Sequence, residues 1–402
     1  MDATTTAEGS RPIDSPASAV AALTRHLSAV DEEEIAADAG VGRVLAASPV
    51  TDRPSPAADV SALDGYAVCA RDAGAGALPV VGESRAGSRP EVFRPGTAMK
   101  ISTGAIVPQG ADTVVRREDC ELRGDRVHFT GGFHFGAGVR REGENADAGA
   151  RLGRAGDRIT PALGGACAMF GVQRVVVHRR VRVATVVTGD EVVDTAGHLQ
   201  PWQLRDSNGP ALRAMLGSAP WVEVVQHERA GDDPAATRIS LQKAFERADL
   251  VLVTGGVSVG EHDLVPAALC ELGARTVFHR LKQRPGRPLL GAVLPGGKAV
   301  LALPGNPVSV LVTARRIARA VAAHMAGIRE SECTHLVRVR GHDRPLDLWW
   351  HRLARLVAQG EAEVCDGKGS GDVIAAAASN GFVEIPPGET SDGPWPFYPW
   401  AW

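Results

Sequence analysis

The stretch DLVLVTGGVSVGEHD, residues 249–263, decides the fold. Leu250 to Val253 form an unbroken apolar run, which suits a parallel strand covered on both faces. The run breaks at Gly255-Gly256, passes Ser258, Gly260 and Asp263, and enters the helix-like segment DLVPAALCELG (263–273). A glycine pair at such a break is either a tight turn or a cradle for an oxyanion. Glycine lets backbone approach a ligand, and a helix N-terminus presents free N–H groups.

The neighbouring segments alternate in kind. VRVATVVTG (181–189) reads as a strand, SNGPALRAMLGS (207–218) as a helix and WVEVVQHERA (221–230) as a strand. DPAATRISLQKAFERA (233–248) reads as a helix capped by Asp233, with Pro234 at its first position. RTVFHRLKQRPGRPLLGAVL (275–294) reads as two strands, and AVLALPGNPVSVLVTARRIARAVAAHM (299–325) as strand, turn and helix. The alternation predicts a doubly wound α/β domain over 181–328.

The flanks differ in texture. Residues 1–17 read as a disordered leader. From Ser18 to Leu45 apolar residues recur at helical spacing, and the acidic run Asp31 to Glu34 separates two helical pieces. With residues 146–180 they would form a helical/β linking domain over 18–50 and 146–180. That makes 51–145, rich in short β-forming runs, an inserted β module. Residues 329–402 read as a C-terminal β domain. Its tail PWPFYPWAW (394–402) is either a terminal strand packed on a partner or an exposed end.

Composition bounds the function. The chain has 402 residues, 23% charged, and a formal net charge of -3, so no general attraction to nucleic acid or anionic membrane is expected. Six cysteines are scattered without a CxxC, which suits reduced thiols. No basic-then-apolar leader or apolar run of about 18 residues occurs, so a cytoplasmic location is expected.

Three strand ends carry polar clusters: TGDE (188–191), TGGVSVGEHD (254–263) and LPGNPVS (303–309). In an open α/β sheet ligands bind there. Asp190, Glu191 and Asp263 would repel an anionic ligand unless a cation such as Mg²⁺ stood between them. GxxxxGK[ST] is absent, and no GxGxxG follows the first strand, which excludes a P-loop NTPase and argues against a Rossmann dehydrogenase. LKQRPGRPLLG (281–291) brings Lys282, Arg284 and Arg287 into one turn, as a solvated basic loop or an oxyanion clamp. In the β module, SALDGYAV (61–68) carries Asp64-Gly65, and MKISTGAIVPQGADTVV (99–115) carries Thr103-Gly104.

Taken along the chain as SALDGYAV, ISTGAIVPQGADTVV, TGDEVV, DSN (206–208), TGGVSVGEHD, RPGRPL and LPGNPVS, these stretches resemble the molybdopterin molybdenumtransferase family, the MoeA/gephyrin E-domain group, over about residues 18–390. The resemblance implies ligation of molybdate to the dithiolene of adenylylated molybdopterin, with release of AMP and use of Mg²⁺. It implies a molybdopterin-binding α/β domain, an inserted β module and a C-terminal β-barrel-like domain. It also implies a homodimer whose active site lies between one subunit's α/β domain and the other's β module. A molybdopterin adenylyltransferase and molybdoenzyme chaperones are the implied partners, with no nucleic acid and no membrane.

Residue by residue, the resemblance gives catalytic roles to Asp64, Thr103, Glu191, Asp232 (rather than Asp233), Asp263 and Arg287. Substrate binding falls to Asp206 and Asn208, then Gly255, Gly256, Ser258 and Gly260, then Pro304, Gly305 and Asn306. Arg284, Pro285, Ser309, Arg352 and Ser370 would form the molybdate pocket. Glu191 and Asn145 would hold the metal. Two departures stand out: Arg287 replaces a lysine, and Asn145 in REGENADAGA (141–150) replaces an acid. They motivate a second reading, a catalytically weak paralogue that binds and delivers molybdopterin or finished molybdenum cofactor.

Overall fold

The computed structural model describes residues 13–89, 91–194, 196, 198–257, 263–340 and 344–402. The chain divides into two compact units. One holds residues 1–47, 155–160 and 175–402, and the other 48–154 and 161–174.

The first unit is built on a six-stranded sheet of β1 (Val181–Thr188), β2 (Val222–Ala230), β3 (Leu250–Thr254), β4 (Arg275–His279), β5 (Leu290–Leu294) and β6 (Lys298–Leu303). The order is β2-β1-β3-β6-β5-β4. The first four strands in this order run parallel, and β5 and β4 are antiparallel additions. Side chains alternate across a strand, so the apolar run of β3 feeds two cores. Leu250 and Leu252 pack with Val181, Val183, Leu301 and helix α1 (Asn208–Gly217). Val251 and Val253 pack with Val186, Ala302, α2 (Pro234–Arg247) and α3 (Leu264–Glu271). Full burial of each such aliphatic side chain contributes about 1.5–3 kcal/mol over exposure. Asp233 caps α2 as expected, its Oδ1 accepting from Ala236 N at 2.8 Å.

After β6, helix α4 (Pro307–Thr313) runs through a π turn, Ala314–Ala318, into α5 (Arg319–Met325). The N-terminal helix Pro16–Thr24 opens with a Ser15/Ser18 capping box, and its Ala19 and Leu23 join the core beside α5. The expected second helical piece is absent. Glu32–Ala36 is a strand paired with Arg174–His178, followed by a short 3-10 turn at Asp38–Gly40. The segment between the acidic run and Gly42 is too short to repay helix nucleation, whereas the strand RVVVH offers pairing at once. Arg43, 6% exposed, ion-pairs with Glu33 and donates to the His178 carbonyl at 3.0 Å.

The C-terminal part is a closed five-stranded barrel of His335–Arg340, Trp349–Ala358, Glu361–Val364, Gly381–Ile385 and Trp395–Pro399. The aromatic tail is a terminal strand, as the first expected alternative had it, but it pairs within its own chain. Trp395–Pro399 closes the barrel within its own chain, with Phe397 1% exposed, and Trp402 stacks on Trp221 at 6.2 Å between ring centroids. A short helix, Val373–Ala378, also lies within this expected β domain, capped by Asp372. The two-residue strand Gln283–Arg284 adds in parallel to Trp349–Trp350, which joins the chain after β4 to the barrel edge.

The second unit is a six-stranded sheet, in the order Thr113–Arg116, Gly65–Val68, Ala98–Ile101, Ala77–Ser84, Arg126–Phe129 and Cys120–Arg123. Helix Pro161–Met169 belongs to this unit, although its sequence suggested the linking domain. Gly65 has a steric reason: a Cβ there would lie 1.9 Å from the Val115 carbonyl oxygen of the paired strand.

Candidate active site

The carboxyl ends of β1, β2, β3 and β6 open into a cleft of about 550 Å³ within the first unit. Its walls include Glu191, Asp206, Asn208, Asp232, Gly255, Gly256, Asp263, Pro304, Gly305 and Asn306, all expected from the sequence. Ser258 and Gly260 lie outside the described residues.

Backbone geometry shapes this cleft. Gly255 has φ +89°, and a Cβ there would lie 2.6 Å from Thr188 Oγ1 and 3.0 Å from the Thr188 carbonyl oxygen. The turn therefore passes against the end of β1 in a conformation that an L side chain resists. Thr188 Oγ1 in turn donates to the Thr254 carbonyl at 3.1 Å. Asp190 and Asp232 tie two loops together: Asp232 N donates to Asp190 Oδ1 at 2.9 Å, and Asp190 N to Asp232 Oδ2 at 3.3 Å. Asp206, 7% exposed, accepts from Gly209 N at 2.8 Å, with His227 Nε2 3.6 Å from its other oxygen. Asn208 Nδ2 donates to the Gly305 carbonyl at 2.9 Å, while its buried Oδ1 has no hydrogen-bond partner among the described residues. A ligand donor would fill that acceptor.

Beside it, between the turn after β4, the start of α4 and the barrel, lies a cavity of about 700 Å³. It shares Pro288, Pro304 and Asn306 with the cleft, so the two are contiguous. Arg284, Pro285, Arg287, Ser309, Arg352 and Ser370 all line it. Asn306 Nδ2 donates to Ser370 Oγ, and Val308 N to the Ser370 carbonyl, both at 2.9 Å. Arg352 lies 4.7 Å from the Trp350 ring centroid and donates to Asp366 at 2.8 Å. Burial lowers its pKa, the Asp366 carboxylate opposes this, and the charge of Arg284 adds to the lowering. Such crowding of cations favours an arriving anion. Lys282 is not part of this wall; its Nζ donates to Asp347 at 2.6 Å.

Sequence reasoning missed Gln283, Trp350, His351 and Asp366 in this wall. Gln283 sits between Lys282 and Arg284 of the quoted turn, and WWHR (349–352) holds two cavity residues, Trp350 and His351, directly before Arg352. The pairing of Gln283–Arg284 with Trp349–Trp350 brings these segments together.

The remaining expected residues belong to the second unit. Thr103 donates to Asp64 Oδ1 through N at 2.7 Å and through Oγ1 at 2.9 Å. These bonds hold the exposed Asp64 carboxyl below its ordinary pKa. Asn145 accepts from Arg140 Nη2 at 2.6 Å and donates to Ser55 Oγ at 3.2 Å. Glu191 and Asn145, the expected metal pair, thus belong to different units. Among the described residues, no cluster of three or more His, Cys, Asp or Glu side chains forms a ready cation cage. No helix among them is long and apolar enough to cross a membrane.

Residues 15–171 match the model of the MoeA N-terminal region (domain I and II), and residues 184–324 that of a probable molybdopterin binding domain. A molybdopterin molybdenumtransferase of Nostoc sp. is 35% identical, covering 90% of this chain and 86% of its own. Another, of Synechococcus elongatus, is 36% identical over 68% of this chain and 70% of its own. The crystal structure of the molybdopterin biosynthesis moeA protein from Pyrococcus horikoshii OT3 superposes with a TM-score of 0.82 at 25% identity, covering 96% of this chain and 100% of that one.

Proposed function

Because the chain belongs to the molybdopterin molybdenumtransferase family, we propose that it joins molybdate to the dithiolene of adenylylated molybdopterin and releases AMP. One observation carries the reading: an acid- and glycine-lined cleft at the sheet edge opens into an arginine-lined cavity. The first suits a pterin with a pyrophosphate, and the second a tetrahedral oxyanion.

In this reading Arg284, Arg287 and Arg352 hold the oxyanion, with Ser309 and Ser370 placed for hydroxyl contacts. Asp206, Asn208 and the turns at Gly255 and Gly305 hold the adenylylated pterin. Glu191, Asp232 and Asp263 line one cleft and offer the hard oxygen donors that Mg²⁺ prefers. Mg²⁺ commonly takes one or two carboxylates and completes its shell with phosphate oxygens and water, so it needs no three-residue cage, and none forms among the described residues. When bound, it would neutralise the pyrophosphate. Asp64 and Thr103 would complete the site from a second copy of the chain.

The test is AMP release from adenylylated molybdopterin with and without molybdate, in Mg²⁺ and in chelator. Release that needs both molybdate and Mg²⁺ supports the reading. Tight pterin binding without release points instead to the carrier reading that Arg287 and Asn145 motivate. Mixing Asp64→Asn protein with Glu191→Gln protein tests the shared site. Activity regained on mixing two inactive variants supports a dimer with composite sites, and none regained counts against it.

A further inference from the structure

The glycine turn that shapes the cleft leaves the sheet at the end of β3, so its backbone groups need partners other than the strand ladder. Three anchors are in place. Gly255 N donates to the carbonyl of Leu303, at the end of β6, and Val265 N in α3 donates to the Gly256 carbonyl, both at 3.2 Å. The third anchor is the Val257 carbonyl, which meets His279 Nε2 at 3.0 Å. The first two join backbone to backbone. The third is a side chain, reaching in from β4 at the far edge of the sheet.

His279 ends β4 opposite Leu290 of β5, and Leu290 packs with Val257 and Val265 in one buried core. Val257 is 2% exposed and forms part of the cleft wall. Its side chain is held by that core and its carbonyl by the imidazole behind it. A carbonyl oxygen only accepts, so Nε2 carries a proton in either charge state of the ring. Directly after His279, Arg280 takes φ +69°, and its N–H donates to the Leu289 carbonyl at 2.8 Å. This bend sends the chain into the turn from which Gln283, Arg284 and Arg287 line the basic cavity. His279 thus supports the cleft with its side chain and leads toward the cavity with its backbone.

We infer that His279 is a positioning residue for the cleft: through the Val257 carbonyl it fixes the glycine turn in the shape that receives the adenylylated pterin. Without the imidazole, that carbonyl is left unpaired beside a buried core, and the turn keeps two anchors of three. A turn that spends less time in the receiving shape binds its ligand more weakly in proportion. The inference rests on the proposed role of the cleft and names the side chain that shapes it in advance.

The test compares His279→Ala, His279→Asn and His279→Gln in the full-length protein. Glutamine places an amide donor near the Nε2 position, and asparagine is too short to reach it. Binding of adenylylated molybdopterin, measured by calorimetry without molybdate, should weaken about three- to tenfold in the alanine and asparagine variants. Glutamine should restore it to within about twofold of wild type. At saturating pterin the rate of AMP release should stay near wild type, because the loss falls on binding. Unchanged binding in the alanine and asparagine variants overturns the inference. Equal weakening in all three also overturns it, since that would make His279 a packing residue. Should alanine fail to fold, asparagine carries the test. Hydrogen exchange reads the same anchor without ligand. The amides of Gly255 to Val257 should exchange faster in the alanine and asparagine variants and recover with glutamine; no difference overturns the inference. That exchange pattern in a protein that binds no adenylylated pterin sinks the transferase reading alone. Normal pterin binding in every variant sinks this inference alone.

Discussion

The cleft and the basic cavity adjoin within one unit yet are built in opposite ways. The cleft is a product of backbone: glycine turns, strand ends, and loops cross-tied by Asp190 and Asp232. The cavity is a product of side chains converging from distant segments, backed by the buried set Arg316, Glu384 and His351. A site made of turns is written locally and fails when a turn cannot form. A site made of converging side chains fails when its buried support is removed.

The largest expected effect lies in that support. Removing one member of a buried ionic set costs about 3–5 kcal/mol, so Glu384→Ala should lower urea-unfolding stability by that amount. The same carboxylate sets a pH dependence. Its folded pKa of about 2 lies below the ordinary 4.5, so its stabilisation is fully present above 4.5 and is lost as pH falls toward 2. Glu384→Gln should flatten the stability curve across that window; an unchanged acid limb would break the comparison.

Next comes the backbone-built cleft. Gly255→Ala should cost about 1–3 kcal/mol from the forced positive φ, and should abolish binding of the adenylylated pterin. Normal pterin affinity in this variant would mean that the turn does not shape the cleft. Third, Arg352→Ala should raise the molybdate concentration needed for half-maximal AMP release about tenfold, with little change in melting temperature because Asp366 is largely exposed. A stability loss without an anion effect would assign Arg352 to packing. The smallest effects belong to the two departures from the family pattern. Arg287→Lys should change the rate by no more than about twofold, because the charge is kept at an exposed rim position. Asn145→Asp turns the Arg140 hydrogen bond into an exposed ion pair worth at most about 1 kcal/mol. A sharp gain in AMP release from either substitution would favour the carrier reading.

Particular residues show how far the sequence reached. The apolar run of β3, the Asp233-Pro234 start of α2 and the glycine break at 255 are local signals, and each stands where its pattern placed it. The strand at Glu32–Ala36 read as helix because its partner, Arg174–His178, lies more than a hundred residues away. The tail read ambiguously because strands do not announce which neighbours they close upon.

The sequence by itself therefore determined the doubly wound sheet, its polar strand ends and the family. Period-2 and period-3.6 patterns and glycine positions are properties of consecutive residues. Tertiary structure alone decided that the tail closes a barrel, that Lys282 pairs with Asp347 rather than lining the cavity, and that Gln283–Arg284 pairs with Trp349–Trp350. Cross-strand pairing joins residues by register rather than by sequence distance, and which buried atoms lack partners emerges only once every neighbour is in place.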